Sequence, residues 1–261
     1  MRLLFIGDIV GAPGRRAVKE LLPDIVGKEN IEFVIANAEN AAGGSGITPP
    51  IAKELKSYGV HVLTSGDHIW KKKEVIEFLD RETSVLRPLN YPKGTPGKGA
   101  TVIELPGSKV KIGVVNLVGR VFMQPLECPF RTSREEINKI KEITPNIFVD
   151  IHAEATSEKI ALGWYLDGLI TGLIGTHTHV QTADDKVLPG KTAYLSDVGM
   201  TGPFDSVIGR RKEDILTRFV TQMPTRFEVA EGDIRLDGAI IDFDEKNGKA
   251  RSIKRIEKKL T

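Results

Sequence analysis

Leu169-Ile170-Thr171-Gly172-Leu173-Ile174-Gly175-Thr176-His177-Thr178-His179 reads as a short apolar strand that ends in a pair of histidines. The chain of 261 residues has only five histidines. Besides this pair, His68 directly follows Asp67 and His152 comes two residues after Asp150. Neutral imidazole is the commonest nitrogen ligand of transition metals, and two histidines flanking one residue at a strand end can be aimed at one ion. Working outward, other apolar runs end the same way. Leu3-Leu4-Phe5-Ile6-Gly7 leads to Asp8, Phe33-Val34-Ile35-Ala36 to Glu39-Asn40, Val60-His61-Val62-Leu63-Thr64 to Asp67-His68, and a run over 146–151 to His152. Loops at the carboxyl ends of strands in an open α/β sheet converge on one crevice, so these side chains are candidates for one site.

The spacing along the chain supports that class. Strand-like runs at 2–7, 32–37 and 60–64 alternate with amphipathic stretches near 14–27, 48–58 and 70–80, the rhythm of parallel strands with crossover helices. Thr48-Pro49-Pro50 opens the second helix with a capping hydroxyl ahead of proline. A Pro- and Gly-dense loop at 87–99 precedes two β-rich runs, 100–105 and 109–116, joined by Pro106-Gly107-Ser108 as a hairpin. A helix near 132–142 starting at Thr132 or Ser133, strand 146–151, helix 156–166 and strand 169–174 follow, and 236–244 with 249–256 form a second hairpin. Parallel units mixed with hairpins predict an α/β fold in which two mixed sheets pack with helices outside. This is a four-layer αββα sandwich and one domain over 1–261, distinct from a Rossmann sheet or an eightfold barrel.

Composition narrows the partners. Lys plus Arg number 37 against 35 Asp plus Glu, a net charge of +2, too balanced for a duplex-wrapping or membrane-surface protein. The opening apolar run is too short for a signal peptide, and no stretch approaches the roughly 20 apolar residues of a membrane span, so a soluble cytoplasmic protein is expected. The single cysteine, Cys128, excludes an internal disulfide and reads as an ordinary thiol.

One divalent ion uses three or four protein groups, whereas Asp8, Glu39, Asn40, Asp67, His152, His177 and His179 offer seven. That suits two ions sharing a bridging carboxylate. Two metals about 3.5–4 Å apart clamp the attacking and leaving oxygens of a displacement at phosphorus and activate a bridging water as hydroxide. His68, beside a ligand, is placed to protonate the leaving oxygen as general acid.

These residues resemble the calcineurin-like metallophosphoesterases, and within them the YmdB-like branch of 2′,3′-cyclic nucleotide 2′-phosphodiesterases. The likeness covers nearly the whole chain. It is carried by Phe5-Ile6-Gly7-Asp8-Ile9-Val10-Gly11, Ala36-Asn37-Ala38-Glu39-Asn40-Ala41-Ala42-Gly43-Gly44, Gly66-Asp67-His68-Ile69-Trp70, the segment from Asp150 to Lys159, the segment from Gly175 to Asp184, and Asp197-Val198-Gly199-Met200-Thr201-Gly202. The resemblance implies that Asp8, bridging Glu39 and His179 hold one ion, that Glu39, Asn40, Asp67, His152 and His177 hold the other, and that His68 donates the proton. It further implies iron or manganese, hydrolysis of 2′,3′-cyclic nucleotides to 3′-nucleotides, and a link to RNA-related regulation; a homo-oligomer is a separate expectation. Val10 and Glu39 depart from the wider superfamily, where a histidine and a bridging aspartate are usual, and fit the branch. Asp67 departs from the branch as well, because the Gly-Asn-His signature reads Gly66-Asp67-His68 here. An amide can bind metal through oxygen and donate to phosphate through nitrogen, whereas an ionised carboxylate only accepts, so Asp67 is expected to alter metal preference or slow turnover.

Other readings stay beside these. Strand-end Asp and Asn side chains often satisfy loop amides instead. Asp150 and Glu154 read either as acceptors orienting ligand imidazoles or as exposed carboxylates. His61 and Trp70 read as packing residues, and Arg210-Arg211-Lys212 as a solvated helix start, with an oligomer contact or phosphate-steering patch as the alternative. The glycines at 7, 11 and 14 and at 97 and 99 miss both nucleotide-cofactor patterns. An amidohydrolase would place its His-x-His pair near the start of a barrel. A catalytically weak metal- and nucleotide-binding regulator is the alternative function, favoured by Asp67.

Overall fold

A computed structural model describes residues 1–261 except Pro106, so the expected Pro106-Gly107-Ser108 turn lies partly outside the described residues. With strands numbered along the chain, one sheet holds β1 (Arg2–Ile6), β2 (Asp8–Ile9), β3 (Phe33–Asn37), β4 (Val62–Thr64), β11 (Met200–Pro203), β12 (Ile234–Asp244) and β13 (Lys249–Lys259). The other holds β5 (Ala100–Glu104), β6 (Lys111–Val118), β7 (Ile147–His152), β8 (Gly172–Thr176), β9 (Lys186–Val187) and β10 (Ala193–Leu195). The first runs β2-β11-β12-β1-β3-β4 with β13 on the free edge of β12, and the second β5-β6-β7-β8-β10-β9. Both are mixed: β1, β3 and β4 are parallel while β12 is antiparallel to β1, β11 and β13, and β6, β7, β8 and β10 are parallel while β5 and β9 are antiparallel edges.

The alternation of strand side chains explains why sheet packs on sheet. Leu3 and Phe5 of β1 and Phe33 and Ile35 of β3 point one way, into a core shared with Ile112, Val114, Phe148 and Ile174 of the second sheet. Leu4, Ile6, Val34 and Ala36 point the other way, against α1 (Gly11–Glu29) and α2 (Pro49–Ser57). On the far side of the second sheet, Val115, Val149 and Leu173 meet Ile137 and Ile140 of α4 (Pro129–Lys141) and Leu162 and Leu166 of α5 (Thr156–Leu166). Strands buried on both faces read as continuous apolar runs, which is what made them visible in the sequence. The layers are therefore helix, sheet, sheet, helix, and the αββα sandwich is borne out.

Local differences have local causes. The stretch near 70–80 is a 3₁₀ turn, Ile69–Lys71, followed by the separate short α3 (Val75–Leu79). Ile69 and Val75 are both buried in one core cluster, one from each of the two short elements. Helix α4 starts at Pro129, whose fixed φ suits a first helical position, and the Ser133 hydroxyl bonds back to Phe130 O instead of capping. Strand β8 runs to Thr176 because it stays in register with β7, His152 lying opposite Thr176. The second hairpin is longer than expected, and α6 (Lys212–Thr221) completes the helices. Among the described residues no helix is long and apolar enough to cross a membrane.

Candidate metal centre

The two sheets contribute different chemistry at their carboxyl ends. Asp8, Glu39 and Asp67 follow β1, β3 and β4 of the first sheet, and His152, His177 and His179 end or follow β7 and β8 of the second. The ligand atoms of Glu39, Asp67, His152 and His177 all lie within 4.8 Å of one another. His152 Nε2 is 3.0 Å from Glu39 Oε1 and 3.0 Å from His177 Nδ1, with Asp67 Oδ1 at 3.7 Å. Alongside, His179 Nε2 is 3.8 Å from Asp8 Oδ1 and 3.1 Å from the Asn40 amide nitrogen. Asn40 thus stands beside His179, and its amide oxygen lies 2.9 Å from His68 Nδ1. His68 Nδ1 is also 3.2 Å from Glu39 Oε1. All eight residues singled out in the sequence meet in this one region.

The imidazoles are oriented by their second nitrogens. Thr176 Oγ1 donates to Asp150 Oδ1 at 2.8 Å, so at 2.9 Å from His152 Nδ1 it accepts that ring's N–H and leaves the Nε2 lone pair facing Glu39 and Asp67. The proton on His179 Nδ1 goes to Ile208 O at 3.0 Å, leaving Nε2 toward Asp8. His177 is reversed: Nε2 lies 3.1 Å from Glu154 Oε2, and Nδ1 faces His152 and the carboxylates. Asp150 is wholly buried and also accepts from Thr64 Oγ1 and Asn37 Nδ2 at 2.5 and 3.0 Å, while Asn37 Oδ1 accepts from the Glu39 backbone N–H. Of the two readings for these acids, Asp150 acts as an orienting acceptor, whereas Glu154 is half exposed yet still meets a ligand-type ring.

The histidine loop is strained and braced. His177 and His179 have φ of 107° and 63°, in the region that disfavours L residues. Asp197 holds the loop: its Oδ2 accepts from Thr178 N at 3.0 Å and Thr178 Oγ1 at 2.8 Å, and Lys159 Nζ neutralises it at 2.8 Å while donating to Thr176 O. Both members of that pair are 1 % exposed. Gly66 is needed for a different reason, since a Cβ there would collide with the Glu39 carboxylate and the His152 ring.

Electrostatics show what the cluster lacks. Asp8 Oδ1, Glu39 Oε2 and Asp67 Oδ1 are buried without a hydrogen-bond partner among the described residues. Burial pushes the Asp8 carboxyl up to about 7 against the pull of His152. Burial alone would lower His152, but Glu39, Asp8 and Asp150 outweigh it and raise the ring to about 10. His177 is pushed down to about 4 by burial and by His152, and His179 is lowered by burial. Burial also lifts Asp150 to about 7, despite its bonds to Thr64 and Thr176. Orphaned carboxylate oxygens and a ring drawn to carry positive charge describe a site built for cations. A metal ion satisfies that demand and displaces the proton.

Two features escaped the sequence reading. The small polar residues Asn37, Thr64 and Thr176 sit inside strands, where they look like ordinary sheet residues. Arg210, read as part of a solvated helix start, is half-buried and lines a cleft of about 320 Å³ with Asn40, His68, His177 and His179. Among the described residues its guanidinium hydrogen-bonds only to backbone carbonyls, those of Gly43, Gly44 and Phe227. Only Arg211 and Lys212 begin the helix as expected.

This two-sheet architecture is that of the calcineurin-like phosphoesterases. The solved calcineurin-like phosphoesterase YfkN from Bacillus subtilis superposes with a TM-score of 0.62 over 99% of this chain and 90% of its own, at 12% identity, a likeness of fold. The chain belongs to the YmdB-like protein family, whose sequence profile matches residues 4–256. It is 50% identical over 256 residues to the 2′,3′-cyclic-nucleotide 2′-phosphodiesterase of Bacillus subtilis (strain 168), covering 98% of this chain and 96% of that one. The crystal structure of a novel phosphatase from Mycoplasma pneumoniae superposes with a TM-score of 0.93 at 34% identity, covering 99% of this chain and 93% of that chain.

Proposed function

We propose that the protein is a dinuclear metal-dependent phosphodiesterase that opens 2′,3′-cyclic nucleotides to 3′-nucleotides. The carrying observation is the set of three buried, partnerless carboxylate oxygens beside imidazole nitrogens whose other nitrogens are already engaged. In this reading Asp8, Glu39 and His179 hold one ion, Glu39, Asp67, His152 and His177 hold the other, and Asn40 lies on the His179 side with its amide able to serve either. Iron or manganese is our choice for this mixed nitrogen and oxygen set. Bound there, the ions supply Lewis-acid polarisation of the phosphoryl oxygens and lower the pKa of the attacking water. The residues do the remainder. Arg210, which lines the cleft and makes no ion pair among the described residues, pairs with a non-bridging phosphate oxygen. His68, with Nδ1 held by Asn40 and Glu39, presents Nε2 to the leaving oxygen. Water forms the new P–O bond and releases a proton to solvent, the P–O2′ bond breaks, and His68 Nε2 gives its proton to the 2′-oxygen and regains one from solvent. The 50% identical relative carries the name of this activity, which supports the choice of ester. Cleaved RNA also ends in 2′,3′-cyclic phosphates, so RNA termini fall in the same substrate class. We propose that residues 1–261 work as one domain; the cytoplasmic setting and the homo-oligomer remain expectations of the sequence.

The test is hydrolysis of bis-p-nitrophenyl phosphate and 2′,3′-cyclic AMP by metal-stripped protein re-supplied with Mn²⁺ or Fe²⁺. Turnover that needs metal, yields the 3′-nucleotide and is lost in His177→Ala supports the proposal; His68→Ala should slow the cyclic substrate most. Two bound metals with no turnover would favour the regulatory binder, for which the Asp67 carboxylate at the cluster is the specific argument.

A further inference from the structure

The loop between β6 and α4 carries Phe122, 89% exposed and with φ of 61°, at a cleft that shares Glu154 and His177 with the Arg210 cleft. A bulky aromatic in the left-handed region and almost wholly in solvent is doubly unfavourable, and such outliers point to a use when the surrounding structure enforces them. It is enforced here. The loop leaves β6 beside a ligand, Gly119 N donating to His152 O at 2.9 Å. The carboxylate of Glu158, itself buried, accepts from Arg120 N at 3.1 Å and Val121 N at 3.2 Å. At the other end, wholly buried Asn90 accepts the Glu127 N–H on its backbone oxygen and donates from its amide to Glu127 O at 3.0 Å. Both stems are therefore fixed by buried polar groups, and only the tip projects. Phe122, Met123 and Gln124 line a cleft of about 630 Å³ together with Asp67 and His177, two members of the metal cluster. One occupant can thus reach the ligand set with one end and the aromatic face with the other.

We propose that Phe122 is the stacking platform for the nucleobase of the substrate, placing the base beside Asp67 and His177 while the cyclic phosphate sits at the carboxylate–histidine cluster within reach of Arg210. This rests on the phosphodiesterase reading and adds the part of the substrate that reading leaves unbound. Every base offers a π face, so a platform with one aromatic ring binds bases with little discrimination among them. The pre-fixed loop lowers the ordering cost of that contact.

The experiment compares wild type, Phe122→Ala and Phe122→Trp in the metal-loaded protein, with 2′,3′-cyclic AMP and the base-free methyl riboside 2,3-cyclic phosphate as substrates. Calorimetric binding of 3′-AMP and of inorganic phosphate is measured beside turnover. Phe122 lies outside the core, so its truncation leaves the fold. The expected result for Phe122→Ala is a KM for cyclic AMP raised roughly 5- to 100-fold, a like loss in 3′-AMP affinity, and less than about a twofold change for the base-free ester and for phosphate, with Trp restoring the base-dependent part. Equal effects on base-bearing and base-free ligands, or no effect on either, would overturn the platform. Base-dependent 3′-AMP binding without any turnover would instead overturn the hydrolytic reading and leave the platform standing.

Discussion

Replacing Thr176 by valine isolates one link between fold and site. The side chain is wholly buried and valine matches its shape, so the change removes a hydroxyl and little else. That hydroxyl donates to Asp150 at 2.8 Å and accepts from His152 Nδ1 at 2.9 Å and from Asn37 Nδ2 at 3.2 Å. Asn37 still reaches Asp150, and Asp150 keeps Thr64, so those two groups retain partners. His152 Nδ1 keeps no acceptor within hydrogen-bond reach, since the Asn37 amide nitrogen at 3.5 Å is another donor and Asp8 Oδ1 stands off at 3.8 Å. Stranding a buried N–H costs about 1–3 kcal/mol, and losing the bond to a buried carboxylate adds about 1 kcal/mol or more. A total near 2–4 kcal/mol corresponds to a Tm lower by roughly 4–12 °C in a chain of this size. The ring also loses the contact that holds its proton on Nδ1. The proton can then move to Nε2, toward Glu39 Oε1 at 3.0 Å, where it blocks the lone pair that faces the cluster. Orienting partners of ligand histidines are worth about 10- to 100-fold in metal affinity. Competition against a fluorescent chelator, with calorimetric melting of the same samples, reads both effects. A folded Thr176→Val protein that binds Mn²⁺ as tightly as wild type would refute the reasoning about the tautomer, whatever happens to its Tm.

Three further perturbations test other parts. Lys159→Met leaves the Asp197 carboxylate buried without its cation and should lower the unfolding free energy by about 3–5 kcal/mol in urea titrations, an uncompensated buried charge being the cause; a loss under about 1 kcal/mol would contradict it. Asp67→Asn removes a like charge beside the bound phosphate and should raise kcat/KM for 2′,3′-cyclic AMP on the order of tenfold, so a slower variant would count against the argument from charge. Asp237, 2 % exposed on β12, is pushed up to about 7 by burial and by Glu257. The folded chain keeps that proton up to about pH 7 while the unfolded chain releases it near 4, so the stability it lends is present below pH 4 and lost as pH rises to 7. Asp237→Asn should therefore stabilise the protein by roughly 2–3 kcal/mol more at pH 8 than at pH 5, and denaturation at the two pH values should give unequal gains.

What was legible in the sequence was whatever is encoded locally. Strands such as β1 and β3 are buried on both faces, so their apolar runs stand out, and each candidate ligand sits within a few residues of a strand end. What was hidden depends on partners far along the chain. Thr176 matters because Asp150 and His152 meet it across the β7–β8 register. Lys159 looks like a surface residue of α5 until Asp197, 38 positions on, is brought against it. Arg210 reaches the cleft because Ile208 and Gly209 take positive φ, turning the chain so that Ile208 O receives His179 and the next side chain but one points at Gly44. A charge-rich tripeptide carries no sign of that turn.

The division of the candidate ligands between the sheets bears on how the molecule holds together. The first sheet brings the carboxylates Asp8, Glu39 and Asp67 to one edge, and the second brings His152, His177 and His179. Each sheet alone presents an incomplete set: carboxylates that repel one another, or imidazoles whose own-sheet acids, Asp150 and Glu154, engage them from outside the cluster. Packed together, the carboxylates raise His152 to about 10, so the assembled cluster draws in positive charge even before an ion arrives. Because the donors converge only when both sheets are docked through the Phe5, Phe33 and Phe148 core, an ion bound there favours the assembled sandwich over any state in which the sheets part. Metal affinity and the cohesion of the two sheets are then one free energy seen from two sides. The buried struts Asp150 and Lys159–Asp197 sit on the histidine-bearing sheet, where the loop of positive φ has to be held in shape before an ion can reward it.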